Sequence, residues 1–182
     1  MGKVTLITGG SRSGKSSYAE SMLKGKDDVL YIATAIVTDK EMEYRIKRHR
    51  ADRNQKWTTY EGYKDLDLAV ENWNSKYVLL DCVTVMVTNL MFDEKRDFEK
   101  MSHNDIDVLL KHIKFQFKKF IDKCRDKDIN LIMVTNEVGW GLVPEYKLSR
   151  IFRDIAGFVN QYIASLSDEV YIISCGLPLR LK

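Results

Sequence analysis

The sequence predicts an α/β fold: a doubly wound, mostly parallel sheet with helices on both faces. Two observations carry that expectation. Short runs rich in β-branched and aliphatic residues recur along the chain, and amphipathic patterns of helical period lie between them. The runs are nearly continuous in apolar residues, as strands covered on both faces are. In such a sheet ligands bind beyond the carboxyl ends of the strands.

The strand-like runs fall at residues 4–8, 29–33, 77–82, 131–135 and 170–174. After the first comes a helix-compatible stretch, Ser17-Tyr18-Ala19-Glu20-Ser21-Met22-Leu23. Ile106, Leu109, Ile113, Phe117, Phe120 and Cys124 recur at spacings of three and four, and so do Leu148, Ile151, Ile155, Phe158, Tyr162 and Leu166. Each set marks one apolar helix face. Pro144 stands just ahead of the second set, where a first helical turn tolerates proline. Residues 93–104 are polar and read as an exposed, mobile loop.

No repeat or Pro/Gly/Ser linker divides the 182 residues, so a single nucleotide-binding domain spanning 1–182 is expected. With 29 basic and 26 acidic side chains the net charge is only +3, too small by itself to indicate a nucleic-acid or membrane partner. Cys82, Cys124 and Cys175 are odd in number and lack CxxC spacing, which indicates neither a disulfide framework nor a zinc site. No apolar run suits a leader peptide or approaches the ~18 residues that span a bilayer. A cytoplasmic location is the expectation.

Directly after the first run stands Gly9-Gly10-Ser11-Arg12-Ser13-Gly14-Lys15-Ser16, a match to GxxxxGK[ST] between a strand and a helix. Glycines let the backbone curl until its N–H groups face phosphate oxygens, and the following helix N-terminus adds positive potential. In this motif Lys15 reaches the β- and γ-phosphates and the Ser16 hydroxyl is a Mg2+ ligand. Asp81, at the end of Tyr77-Val78-Leu79-Leu80-Asp81, supplies a carboxylate for the metal shell. An Asp at a strand end also serves as a turn or cap residue, but beside a P-loop the metal shell is favoured.

Residues 38–53 open with a capping-box pattern, Thr38 and Glu41, and read as a helix. Arg45, His49 and Arg53 recur at intervals of four and share a face, with Arg48 and Arg50 flanking the imidazole. Neighbouring guanidinium charges disfavour imidazolium and attract a triphosphate. Such a histidine suits attack on an α-phosphorus, giving a phosphoramidate that a second substrate intercepts. The same pattern equally fits a solvated basic helix with an incidental histidine. Two rival readings of the residues stay open at this point: a P-loop kinase of another small molecule with no covalent intermediate, and a RecA-like nucleic-acid-binding ATPase, which the near charge balance disfavours. Glu137 polarises a hydroxyl or holds an arginine, or else is a salt-bridged or capping carboxylate. Trp57, Trp73 and Trp140 stack on a ligand or belong to the core or an interface.

Several stretches in order resemble one family, the bifunctional adenosylcobinamide kinase/adenosylcobinamide-phosphate guanylyltransferases of cobalamin biosynthesis. They are the P-loop preceded by Thr8, then Tyr31-Ile32-Ala33-Thr34-Ala35, Glu41-Met42, Arg45-Ile46 and Leu80-Asp81-Cys82-Val83-Thr84. Thr88-Asn89-Leu90 follows, then Thr135-Asn136-Glu137-Val138-Gly139-Trp140-Gly141-Leu142-Val143-Pro144-Glu145, Arg150, Phe152-Arg153-Asp154, Gly157, Asn160-Gln161 and Gly176-Leu177-Pro178. The resemblance implies a RecA-like P-loop fold and a homotrimer. It also implies two reactions: a nucleoside triphosphate, GTP or ATP, phosphorylates adenosylcobinamide, and GMP from GTP then passes through a histidine to the product, giving adenosylcobinamide-GDP. The guanylylated residue would be His49. Nucleotide contacts would fall on residues 9–16, Ala33, Thr34, Ala35, Arg50, Ala51, Asp52, Arg53, Glu61 and Asp81. Family members can carry Glu where this chain has Asp81, whose reach is one methylene shorter.

Overall fold

The computed structural model describes residues 2–36, 40, 44, 54–71 and 73–182. The apolar runs form strands β1 (Val4–Gly9), β2 (Val29–Ala33), β4 (Tyr77–Asp81), β5 (Asn130–Val134) and β6 (Glu169–Ser174), each within a residue of its expected bounds. Two further strands, β3 (Thr58–Glu61) and β7 (Leu177–Arg180), are exposed along their length. Their short segments carry no buried apolar face, so period and composition pass over them. Both lie at edges of one seven-stranded sheet of order β3-β2-β4-β5-β1-β6-β7. Strands β1 to β6 run parallel, and β7 returns antiparallel to β6. Pro178 is tolerated in β7 because an edge strand has one unpaired side.

Successive side chains of each inner strand enter opposite layers. Val4, Leu6, Leu30, Ile32, Val78, Leu80, Leu131 and Met133 point into the larger core. Ile7, Val29, Tyr31, Leu79, Ile132 and Val134 point into the smaller one. Helix α1 (Lys15–Met22) covers the smaller core through Ala19. The larger core is closed by the short α2 (Leu66–Ala69), α3 (Val83–Phe92), α4 (His103–Asp126) and α5 (Lys147–Leu166).

Helices α4 and α5 follow the apolar periodicity, and Leu109, Ile113, Phe117 and Phe120 of the first expected face are buried. Of the second face, Ile151 and Ile155 are buried, whereas Phe158 is 49% exposed. Helix α3 carries apolar residues all round, and its β-branched run has no period to reveal it as a helix. Pro144 lies before the Tyr146 N-cap of α5, not in its first turn. The expectation of an exposed loop over 93–104 is corrected in two places. Residues 103 and 104 already belong to α4. Phe98 is buried and meets Phe92 edge-on, with ring centroids 5.3 Å apart, which draws the loop onto the core.

Candidate functional site

All parallel strands end on one edge of the sheet, where Ala33 pairs with Asp81 and with Glu61, and Asp81 pairs with Val134. The chain leaves β1 through α1 on the smaller-core face and leaves β5 through α5 on the other. Departure to opposite faces from neighbouring strands opens a crevice between their carboxyl ends. The 9–16 loop forms one lip of it.

The loop's backbone requires its glycines. Gly9 has φ 155° and Gly14 has φ 97°. A Cβ on Gly9 would run into the Ile173 carbonyl oxygen, and one on Gly14 would stand 3.2 Å from the Gly176 Cα. Gly14 is the N-cap of α1 with no side chain over the first turn, so those N–H groups open toward the loop. The Gly176 N–H donates to the Ser13 carbonyl at 2.9 Å and so braces the loop from the β6–β7 turn. The Ser13 hydroxyl is buried without a hydrogen-bond partner among the described residues, as a group awaiting an oxyanion would be.

Lys15 is buried, and its Nζ donates to the Gly10 carbonyl at 2.5 Å, which turns the ammonium back across the loop. Burial pulls its pKa below the usual lysine value, against the upward pull of the acidic groups of Cys82 and Asp81. Burial, reinforced by the Asp81 charge, pushes the Cys82 thiol up to about 12. Cys82 is therefore a neutral packing residue and not a nucleophile.

Asp81 is half-buried, and Tyr31 donates its hydroxyl to Oδ2 at 2.9 Å. Thr34 is buried under the same edge. Its hydroxyl donates to the Cys82 carbonyl at 2.8 Å and accepts from the Cys82 N–H at 2.9 Å, while Asn89 Nδ2 donates to its carbonyl at 2.7 Å. Of the expected nucleotide contacts, Thr34 thus directs its side chain into the scaffold. Beyond β5, the Thr84 and Thr135 hydroxyls lie 3.1 Å apart, Thr135 donates to Asn160 Oδ1 at 2.7 Å, and the Asn136 N–H donates to Thr84 at 2.7 Å. Asn89, Thr84, Thr135 and Asn160 all sit in the stretches that carry the resemblance, but no motif assigned them a role. Only the folded edge brings them together.

Gly9, Gly10, Ser11, Arg12, Ser13, Gly14, Lys15, Ser16, Ala33, Thr34, Ala35, Glu61 and Asp81 share this edge or the loops leaving it. His49, Arg50, Ala51, Asp52 and Arg53 lie outside the described residues, in the connection that leaves β2 and returns as β3. Glu137 caps the start of its own loop, its Oε1 accepting the Gly139 N–H at 2.8 Å. Trp57 is buried and stacks on Tyr31 with centroids 6.5 Å apart, and Trp73 packs against the larger core. Trp140 alone of the tryptophans is open, at 76% exposure. Among the described residues no cluster of three His, Cys, Asp or Glu side chains could hold a metal, and no helix is long and apolar enough to cross a membrane.

A family model described as "Cobinamide kinase / cobinamide phosphate guanyltransferase" matches residues 5–181. The bifunctional adenosylcobalamin biosynthesis protein CobU of Escherichia coli is 42% identical over 180 residues, covering 97% of this chain and 98% of that protein. Its namesake in Salmonella typhimurium is 40% identical over 181 residues, with the same coverage. The bifunctional adenosylcobalamin biosynthesis protein CobP of Pseudomonas aeruginosa is 36% identical over 183 residues, covering 97% of this chain and 96% of that protein. A crystal structure of a KaiC-like protein from Pyrococcus horikoshii superposes with a TM-score of 0.48 at 12% identity, over 93% of this chain and 71% of that one.

Proposed function

The chain belongs to the cobinamide kinase / cobinamide phosphate guanyltransferase family, and from that premise we propose how its strand edge divides the work between Lys15 and His49. The protein phosphorylates adenosylcobinamide with a nucleoside triphosphate and transfers GMP from GTP to adenosylcobinamide phosphate, giving adenosylcobinamide-GDP. Its substrates are small molecules, GTP or ATP and the corrinoid.

The observation that carries the kinase half is the buried Lys15, held at Gly10 inside a glycine loop beside Asp81. Phosphoryl transfer depends on positioning and charge stabilisation more than on bond-making by the protein. On nucleotide binding, the Lys15 ammonium exchanges the Gly10 carbonyl for β- and γ-phosphate oxygens, which are better partners for a desolvated cation. The loop's N–H groups and the Ser13 hydroxyl bind the remaining phosphate oxygens. The corrinoid hydroxyl then attacks the γ-phosphorus, the bond to the β-phosphate oxygen breaks, and the hydroxyl proton is released.

In the guanylyl half, an imidazole nitrogen of His49 attacks the α-phosphorus of GTP and pyrophosphate leaves. A phosphate oxygen of adenosylcobinamide phosphate next attacks that phosphorus, the N–P bond breaks, and neutral His49 is restored. Arg50 and Arg53 stabilise the pyrophosphate charge, and Ala33, Ala35, Ala51, Asp52 and Glu61 line the nucleotide. The position of the β2–β3 connection supports this reading, since the chain departs for His49 from the same edge that carries Lys15.

Ser16 and Asp81 would hold Mg2+. Their all-oxygen donor set, one hydroxyl and one carboxylate, fits a hard cation that completes its shell with water and phosphate. When bound, Mg2+ neutralises phosphate charge. We also read the chain as one domain from its length and lack of a linker, as cytoplasmic from its cysteine usage and apolar runs, and as a homotrimer because the family resemblance implies one.

The test is to incubate the protein with Mg2+ and α-labelled GTP, denature it, and measure retained label beside a His49→Asn variant. Acid-labile, base-stable label is expected on wild type and absent from the variant. Unlabelled wild type that is folded and binds GTP would remove His49 as nucleophile and leave a plain P-loop kinase.

A further inference from the structure

We propose that the loop 138–146, between β5 and α5, is the platform that holds the corrin ring of cobinamide across the crevice from the phosphate loop. The inference rests on the kinase reading above and adds to it the surface that receives the acceptor.

The loop rises from the second lip of the crevice. At its root the Glu137 N–H donates to the Gly9 carbonyl at 2.9 Å, so the first residue of the P-loop and the start of this loop are stitched together. Within seven positions it presents four large apolar side chains to water: Trp140 at 76%, Leu142 at 96%, Val143 at 69% and Tyr146 at 73% exposure. Apolar surface concentrated in this way marks a contact site rather than ordinary surface.

The loop is anchored at both ends. Gly139 is held by the Glu137 carboxylate, and Arg150 Nη1 donates to the Pro144 carbonyl at 3.1 Å and also to that of Glu145. Lys147 ties the start of α5 to the Glu99 carbonyl at 2.6 Å. A platform fixed in advance loses little entropy when it is covered.

The chemistry selects the occupant. The phosphates of the nucleotide belong to the opposite lip, and a phosphoryl acceptor must approach from beyond the γ-phosphate. Cobinamide brings a broad, nearly planar macrocycle with methyl-bearing faces and a rim of amides. An indole and aliphatic neighbours suit such a face, and loop backbone groups suit the amides. Trp57 and Trp73 are packed into the protein, which leaves Trp140 as the indole able to stack.

The experiment follows tryptophan emission on titration with cobinamide, together with the cobinamide KM of the kinase step, in wild type, Trp140→Ala and Leu142→Ser. The variants are also sized in solution and tested for label uptake from α-labelled GTP. Quenching in wild type that disappears in Trp140→Ala is expected. The cobinamide KM should rise roughly tenfold in either variant, as stacking losses do, with label uptake and assembly size unchanged. Unaltered cobinamide KM and quenching in folded variants would overturn the proposal. A smaller assembly with unchanged KM would also overturn it and make the loop a contact between copies. Quenching needs no turnover, so wild type that is quenched but transfers no phosphoryl group would count against the kinase reading and for the platform.

Discussion

Thr34 commits each of its polar atoms to the scaffold: its N–H to the Asp81 carbonyl at 3.2 Å, its hydroxyl to both backbone groups of Cys82, and its carbonyl to Asn89. The residue that ends at the β2 edge thereby ties down the peptide carrying Asp81. Thr34→Val keeps the shape but leaves the buried N–H and carbonyl of Cys82 without their partner, a loss of about 1–3 kcal/mol. Thr34→Ser keeps the hydroxyl and should recover most of that loss. Urea unfolding checks the energies. GMP labelling rates should fall in the valine variant and return in the serine variant, because Asp81 and the route to His49 share this anchor. Only the valine variant performing like wild type in both measurements contradicts the role. From the sequence, Thr34 is part of a family-like stretch that the resemblance assigns to nucleotide contact. That its hydroxyl turns away depends on β4, dozens of residues on in the chain.

Helix α4 shows how one local signal can be missed. Its N-terminus carries a reciprocal cap: Ser102 accepts the Asp105 N–H at 3.2 Å, and Asp105 Oδ2 accepts the Ser102 N–H at 2.9 Å. The Ser102 hydroxyl, followed by its N–H, holds the Asp105 carboxyl below its ordinary range. Asp stands where the usual box carries Glu or Gln, and residues 103 and 104 are polar, so the stretch reads as loop until the cap is seen. Ser102→Ala should cost about 1 kcal/mol, read as a lower urea midpoint at unchanged slope, with kinase turnover unaffected. By contrast, the apolar faces of α4 and α5 are written in their spacing, whereas α3 and the exposed edge strands carry no period that sequence could reveal. Their structure follows from what the sheet leaves uncovered.

Across the whole molecule, Glu169 joins the termini of the sheet. Its carboxylate meets Lys3 Nζ at 2.8 Å and Arg180 Nη2 at 3.2 Å, linking the start of β1, the start of β6 and the end of β7. The Lys3 hydrogen bond, ahead of the opposing effect of burial, draws its pKa below the usual glutamate value. A lowered carboxylate pKa means that the unfolded chain binds the proton more readily. Its stabilisation is therefore complete above the unfolded pKa and is lost as pH falls through the folded one. Wild type should lose Tm more steeply than Glu169→Gln as the solution is acidified below the ordinary glutamate range, with the two curves parallel near neutrality. Equal acid slopes would exclude the link. The sequence by itself determined the α/β class, the inner strands, the phosphate loop with Lys15, and the family, because apolar period and a contiguous glycine motif are local properties. Tertiary structure alone decided the strand order, the crevice between β1 and β5, the clamp beneath Asp81 and the exposure of the apolar loop that follows β5. Each of those joins residues far apart in the chain, and no local period records which strand becomes another's neighbour.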